Sequence, residues 1–509
     1  MRHLVNHLFR EYFRRRMQVR VRRYMEHPLE VQQEVLTYLL QRAAPTEIGR
    51  QGGFADVKDW QTFSRRLPVR DYDQLKPFID RMMHGEADVL WPGVVRHFSK
   101  SSGTTSDKSK FIPVSRENLF GCHLAGTRDT MALYYDQRPD SLAFWGKNLI
   151  MGGSLSPFPE HPATVRGDVS AVMSAHAPWY AQPFLTPDRK TCLMANFEEK
   201  IERMAQVISR EPMMVMLGGV PTWTVVLLRR VLEITGKKNL LEVWPHIQGY
   251  VHGGVSFLPY REQFREFFPT EKFSYQEVYN ASEGYFAAQN DLNSDDMLLL
   301  LDSNIYYEFL PMSEWEKPDP QAIPLEAVET GKVYALIISH NGGLWRYNIG
   351  DTVTFTSTSP YKIKITGRTK QFINAFGEEL MVENADRALA MTCEAIPAIV
   401  CEYTVAPIYF EGGGRGGHQW IVEFKEAPAD AEHFADLLDQ HLQRVNSDYE
   451  AKRYKDMALE RLHLKVVPNG TFVEWMKQRG KFGGQHKVPR LANHREYVED
   501  LMKFLGKNS

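Results

Sequence analysis

A change of texture near residue 367 constrains this chain more than any other feature of its sequence. Downstream, hydrophobic periodicity predicts a helix over 383–391, strands over 402–410 and 419–424 around a glycine-rich loop, and a helix over 429–445. A strand over 462–467 and a helix over 494–505 follow. That is a compact α+β unit of about 140 residues, close to the common domain size. Upstream, strand-like runs at Val94–Phe98, Lys332–Ser339 and Tyr361–Ile365 are interspersed with helical stretches at Leu29–Ala43, Ser115–Tyr135, Asn196–Ile208 and Thr222–Ile234. At 509 residues there is room for roughly three or four domain-sized units, or one large and one smaller. The polar stretch Gly367–Lys370 separates the two textures, so the expected domains are 1–367 and 368–509.

Composition narrows the class. Hydrophobic residues at 43% and charged residues at 24% are ordinary globular values and exclude wholesale disorder. The net charge of −2 hides an asymmetry: residues 1–25 hold eight Arg against the single acid Glu11. The remainder is therefore acidic, which argues against a basic surface for nucleic acid over the whole protein. The Arg-rich start has three readings. A transit peptide is disfavoured because no Ser or Thr precedes Thr37. A membrane-surface or RNA-binding helix is the second. A charged terminal helix packed on an acidic body is the preferred third. Four Cys with no C-x-x-C spacing read as reduced thiols of a cytosolic, cytoplasmic protein. The longest uncharged apolar run, Pro212–Leu228, is interrupted by Gly218, Gly219 and Pro221 and falls short of the ~20 residues of a spanning helix. It reads as a strand, a turn and a helix start, in a soluble protein without a membrane span. Oligomeric state is left open.

Several common signatures are absent: the P-loop, H-E-x-x-H and zinc-type Cys/His spacing. One G-x-G-x-x-G, at Gly412, Gly414 and Gly417, leads into a strand rather than a helix. It lacks the helix N-terminus that a dinucleotide fingerprint needs, and reads as a hairpin loop. Ser99–Pro113 is more informative. It sets Ser/Thr hydroxyls and Gly103 before Lys108 and Lys110, a combination suited to a polyphosphate or, equally, to a solvated hairpin. In Gln276–Gly284, Glu283 is a candidate acid or a helix-start residue. In Leu344–Val353, Arg346 and Asp351 flank a Gly turn that Asp alone could close. Thr366–Lys370 precedes Phe376–Glu383, and Gly483–Arg490 sets a Lys and an Arg in a Gly-rich loop.

In their order along the chain, these segments resemble the acyl-adenylate-forming superfamily. The details are similar to one branch, the plant auxin-responsive acyl acid amido synthetases (Gretchen Hagen family). The branch's phosphate loop matches Ser101–Thr105, with Lys110, Ile112 and Pro113 at the later offsets. Its tyrosine–glutamate motif matches Tyr279–Glu283, its Y-R-x-G-D is approximated by Arg346–Asp351, and its late K-x-P-R matches Lys487, Pro489 and Arg490. The fold this implies is α/β: a large N-terminal domain of mixed β-sheets with helices and a β-barrel, plus a smaller mobile α+β lid domain.

The resemblance also implies a reaction. ATP and a carboxylic acid would give an acyl-adenylate and pyrophosphate, and an amino acid amine would then take the acyl group. An acyl-CoA ligase with coenzyme A as acceptor is the alternative. Ser101, Ser102, Gly103, Thr104, Thr105 and Lys110 would hold the outer phosphates. Glu283 would hold Mg²⁺, with Tyr279, Asn280 and Ser282 beside the nucleotide. Asp351 would bind the ribose, and Arg368 the ribose or α-phosphate. Lys487 would swing over the α-phosphate and acyl carboxylate. Gly253 and Gly254 would let adenine approach the backbone. Trp179, Tyr180, Val220, Pro221 and Trp223 would line the acid pocket. Two departures stand out. Asp107 puts an acid into the phosphate loop, and the chain is shorter than its plant relatives, so auxin and jasmonate are not implied as substrates. A binding protein with a vestigial site is a different class, against which the retained Glu283, Asp351 and Lys487 argue. A lipid- or RNA-surface protein working through the Arg-rich start is another.

Overall fold

A computed structural model describes residues 2–101, 110–254, 257, 260–315, 317, 319–368, 372–373, 378, 380–408, 416–446, 449–450, 453, 459–481, 487–492 and 494–507. The chain divides into two compact units. The first comprises Met1–Val255, Phe267–Ile349 and Val353–Lys364. The second comprises Ser256–Glu266, Gly350–Thr352 and Ile365–Ser509. The units are thus discontinuous in sequence, whereas the expectation was a single linear boundary at 367. Periodicity reports on neighbours along the chain and carries no signal for such excursions.

The first unit carries two sheets. In the smaller, β1 (His97–Ser101) and β2 (Lys110–Val114) form an antiparallel pair, followed in order by His161–Gly167 and Leu155–Phe158. The larger has twelve strands. Its parallel part runs from Lys147–Ile150 through β3 (Met214–Gly219) and β4 (Gly249–Gly253) to β5 (Ser274–Asn280). The order turns antiparallel at β6 (Tyr285–Ala288) and goes on through Met297–Leu299 and Tyr361–Arg368 to β7 (Tyr347–Thr358) and beyond. The first four residues of β3 are all buried, as expected for a parallel strand covered on both faces.

Local chemistry sets the helices. The first, α1 (Arg2–Arg16), continues through a π-helical turn, Met17–Val21. Its inner face stacks Phe9 on Phe144 at 4.0 Å and Phe13 on Tyr135 at 5.6 Å. Arg16 pairs with the buried Asp129 at 2.5 Å, while Arg20 reaches Asp129 and, at 2.7 Å, Asp302. A charged helix packed on acidic groups is therefore what the structure shows for this face. The stretch predicted as Ser115–Tyr135 starts at a Ser115 cap on the Asn118 amide, runs through a π turn at Leu119–His123, and becomes α2 (Leu124–Gln137). A Cβ on Gly126 would lie 2.5 Å from the Tyr285 ring, so only glycine lets α2 approach β6 this closely. Pro221 opens α3 (Pro221–Thr235), and Gly236, at φ +64°, ends it in the left-handed conformation glycine tolerates best.

In the second unit, Ile399–Ile408 pairs antiparallel with Gly417–Glu426, which pairs parallel with His463–Val467. Residues 409–415, which hold Gly412 and Gly414, lie outside the described residues. Two helices, α4 (Val382–Ala395) and α5 (Ala431–Val445), share the core with Tyr403, Trp420 and Val422 of the sheet. Asp430 caps α5 by accepting from the Glu432 and His433 amides. The four cysteines form no disulfide. Among the described residues, no helix is long and apolar enough to cross a membrane.

Candidate active site

In the first unit, the candidate residues begin at the hairpin of β1 and β2. Ser101 pairs with Lys110, so the Ser/Thr/Gly stretch joins two antiparallel strands. Ser102, Gly103, Thr104 and Thr105 lie outside the described residues. The Lys110 ammonium sits 5.6 Å from the centre of the Tyr72 ring. The Tyr72 hydroxyl accepts from the Phe111 amide at 2.8 Å, and burial pushes it up to about 12. Tyr72 opens the helix Tyr72–Met83 behind an Asp71–Gln74 capping box.

The Tyr279–Glu283 motif meets this hairpin. Tyr279 is buried against Phe286, with ring centres 4.7 Å apart. Asn280 ends β5 opposite Tyr285 on β6, and the intervening turn closes by an Ala281 N–H to Gly284 carbonyl bond of 2.9 Å. Glu283 therefore lies in a β-turn and not at a helix start, which removes that reading of it. Ser282 Oγ donates to the Lys100 carbonyl at 3.4 Å, tying the turn to β1. Glu283 itself is buried. A carboxylate drawn out of water is costly unless it is compensated, and such groups cluster at functional sites.

Two buried imidazoles lie under the turn. His123 ends the π turn, and burial lowers it to about 4. His340 follows suit at about 3, with the His123 ring and the Glu283 backbone among the groups acting on it. His340 Nδ1 accepts from the Gly342 amide at 2.8 Å, which leaves the proton of the neutral ring on Nε2. Asn341 is fixed by Asn118 Nδ2 at 3.1 Å and Ser115 Oγ at 2.6 Å. The Asn280 side chain acts on His123 in the opposite direction to burial. Sequence reasoning missed Tyr72, His123, His340 and Asn341. They come from distant segments, and only the Asp71–Gln74 capping pattern gives any local signal.

The other expected residues divide. Gly253 ends β4, where a Cβ would stand 2.3 Å from the Val278 carbonyl oxygen. Close strand packing thus accounts for that glycine without any ligand. Gly254 is exposed at φ +85°. Arg346 does not flank an open turn as expected. It is buried, bonding Glu308 through Nε at 3.0 Å and the Ser64 carbonyl through Nη1 at 2.8 Å, a structural role. Asp351 is buried on β7, directly after Gly350 at φ +85°. The backbone of Arg368 ends the strand Tyr361–Arg368, and its side chain is outside the description. Val220, Pro221 and Trp223 form the entry to α3. Trp179 is 82% exposed, and Tyr180 is exposed beside it. Tyr180 leans on Phe9 of α1 at 6.1 Å, which holds this pair at the surface.

In the second unit, Lys487 is half-buried at the head of a strap laid along Ile399–Ile408. Thr404 Oγ1 donates to the Pro489 carbonyl at 2.6 Å, and the Val405 amide to the Arg490 carbonyl at 2.7 Å. The buried Arg490 guanidinium pairs with Asp386 at 2.9 Å and Glu402 at 3.3 Å, and lies 5.1 Å from the Tyr403 ring centre.

Residues 18–273, 298–368 and 383–496 match the N-terminal, central and C-terminal domains of the GH3 family. The chain belongs to the GH3 family. The resemblance seen in its motifs is thereby borne out. Ser101–Lys110 and Gly253 fall in the N-terminal match, Asp351 and Arg368 in the central one, and Lys487 in the C-terminal one. Glu283 lies between the first two matches. Among curated relatives, this GH3 chain is 23% identical to indole-3-acetic acid-amido synthetase GH3.3 of Arabidopsis thaliana, over 92% of this chain and 90% of the relative. It is 20% identical to 4-substituted benzoates-glutamate ligase GH3.12 of the same plant, over 88% and 90%. Among solved structures, the acyl acid amido synthetase AtGH3.15 in complex with 2,4-DB superposes with a TM-score of 0.76 at 18% identity, covering 93% of each chain. A 2-hydroxyisobutyryl-CoA ligase reaches 0.61 at 15% identity, covering 94% and 91%. These two likenesses show that the chain shares their mixed α/β fold.

Proposed function

We propose that this GH3 protein activates a carboxylic acid with ATP and passes the acyl group to the amine of an amino acid. A carboxylate oxygen attacks the α-phosphorus, pyrophosphate leaves, and the amine then displaces AMP from the acyl carbonyl. The Ser101–Thr105 stretch and Lys110 hold the outer phosphates, with Tyr279, Asn280 and Ser282 beside the nucleotide. Asp351 accepts from the ribose hydroxyls, and Arg368 serves the ribose or α-phosphate. Gly254, in its left-handed conformation, borders the adenine together with Gly253. Lys487 brings positive charge to the α-phosphate and acyl carboxylate, and Val220, Pro221 and Trp223 border the acid.

The observation that carries this reading is the Ser282–Lys100 bond, which couples the buried Glu283 turn to the strand entering the phosphate stretch. The donor set also fits Mg²⁺. Among the described residues no three His, Cys, Asp or Glu side chains form a cage. Mg²⁺ characteristically takes one or two carboxylates and completes its shell with phosphate oxygens and water. Glu283 would hold the ion, which when bound neutralises charge on the departing pyrophosphate.

Exchange of labelled pyrophosphate into ATP, dependent on a carboxylic acid chosen from aryl and fatty acids, tests the first half-reaction. Glu283→Gln and Asp351→Ala should each lower exchange by about 100-fold or more, and Lys487→Ala should slow it with less effect on ATP affinity. Exchange at wild-type rates in all three variants would overturn the assignments. Product analysis with an amino acid or coenzyme A as acceptor decides the second half-reaction, and thioester without amide would replace the amido synthetase by an acyl-CoA ligase.

A further inference from the structure

The N-terminal segment has two faces, and the chemistry proposed above uses neither. The inner face is satisfied by Phe144, Tyr135, Asp129 and Asp302. On the outer face, Leu4, Leu8, Tyr12 and Val19 are 62, 60, 47 and 64% exposed. Leu4, Leu8 and Tyr12 recur at four-residue spacing, with Arg15 the next position on the same side, so they form one stripe. Arg15 and Arg22 are exposed alongside, while Arg14 pairs at 2.8 Å with Glu11, the one acid of α1. The exposed Trp179 stands apart from this stripe, on the side of the inner-face Phe9. Its ring lies 6.0 Å from Tyr180, which lies 6.1 Å from Phe9.

We propose that this face docks the protein on an anionic lipid surface, with the helix lying in the plane of the headgroups. Leucine and valine side chains would enter the acyl boundary, while Tyr12 would sit at headgroup level, where amphipathic rings are favoured. Arginines flanking the stripe would reach lipid phosphates while their stems cover apolar surface. Charge selects this occupant. A second copy of the same face would bring two arginine-rich faces together, with Glu11 the one acid of each α1 to offset them. Nucleic acid would pair with the arginines but would leave Leu4, Leu8 and Val19 without a counterpart. The helix Arg2–Arg16 also precedes residue 18, where the family match begins, so its outer face stands apart from the shared reaction.

Co-sedimentation of the full chain with vesicles decides it. The protein should pellet with phosphatidylcholine containing phosphatidylserine, remain in the supernatant with phosphatidylcholine alone, and be released by raised salt. Leu4→Ser with Leu8→Ser should lower the partition coefficient by about ten-fold or more. Arg15→Gln with Arg22→Gln should lower it by about five-fold per arginine. Circular dichroism matching wild type confirms that each variant is folded. Equal partition onto neutral and anionic vesicles, or none, would sink the proposal. So would a concentration-dependent dimer that the Leu pair dissolves, or retention on nucleic acid that only the Arg pair abolishes. Acid-dependent pyrophosphate exchange should be unchanged in both pairs, so this test and that of the proposed reaction fail independently.

Discussion

Burial holds His123 at about 4 and His340 at about 3, so both rings stay neutral in the folded protein where ordinary histidines take protons, near 6.5. Between about 6.5 and about 4 the unfolded chain therefore binds more protons than the native one, and stability must fall as pH falls. The slope is about 1.4 kcal/mol per pH unit for each ring. Above that window neither ring adds a pH dependence. Urea midpoints at about pH 7 and about pH 5 should show a smaller acid loss in His123→Asn and His340→Asn than in wild type. An undiminished loss in both variants would mean that the rings are not what acid attacks. At this scale little of the surroundings of Glu283 was legible in the sequence. Glu283 and Ser282 carried a motif, but His340 and Tyr72 reach the turn from other parts of the chain, and their spacing in sequence says nothing of it.

Among the elements, the strap bearing Lys487 depends on one guanidinium. Arg490 is buried between Asp386 and Glu402, so Arg490→Met would strand two carboxylates. A loss of about 3–5 kcal/mol in denaturant unfolding is expected, with partial recovery when Asp386→Leu is added. A change within about 0.5 kcal/mol would show that the pair is not structural. Most elements could be read in advance. Periodicity gave a helix over 429–445 where Ala431–Val445 forms, and paired strands over 402–410 and 419–424 where Ile399–Ile408 and Gly417–Glu426 pair. The π turn at Leu119–His123 could not be read, because one residue added to a helical turn barely disturbs the apolar pattern. Nor could the pairing of Lys147–Ile150 with β3, which joins strands more than 60 residues apart.

For the whole molecule, the texture change near 367 is the one boundary visible in the sequence, and residues 256–266 and 350–352 also group with the second unit. Tyr260 and Gln263 belong to the second unit, where Arg490 Nη2 donates to the Tyr260 hydroxyl at 3.4 Å and Gln263 Nε2 to the Val400 carbonyl at 3.4 Å. A fragment of residues 368–509 lacks both, along with the buried Phe264. Trypsin should digest it faster than it digests the same region of the intact chain. Equal rates would show that the excursion 256–266 is dispensable. The backbone passes between the two bodies five times. Grafting a foreign tail at a single crossover near codon 367 would hence deliver an incomplete lobe onto a host still holding the missing pieces. Hybrids between relatives require those inner inserts to be exchanged in concert.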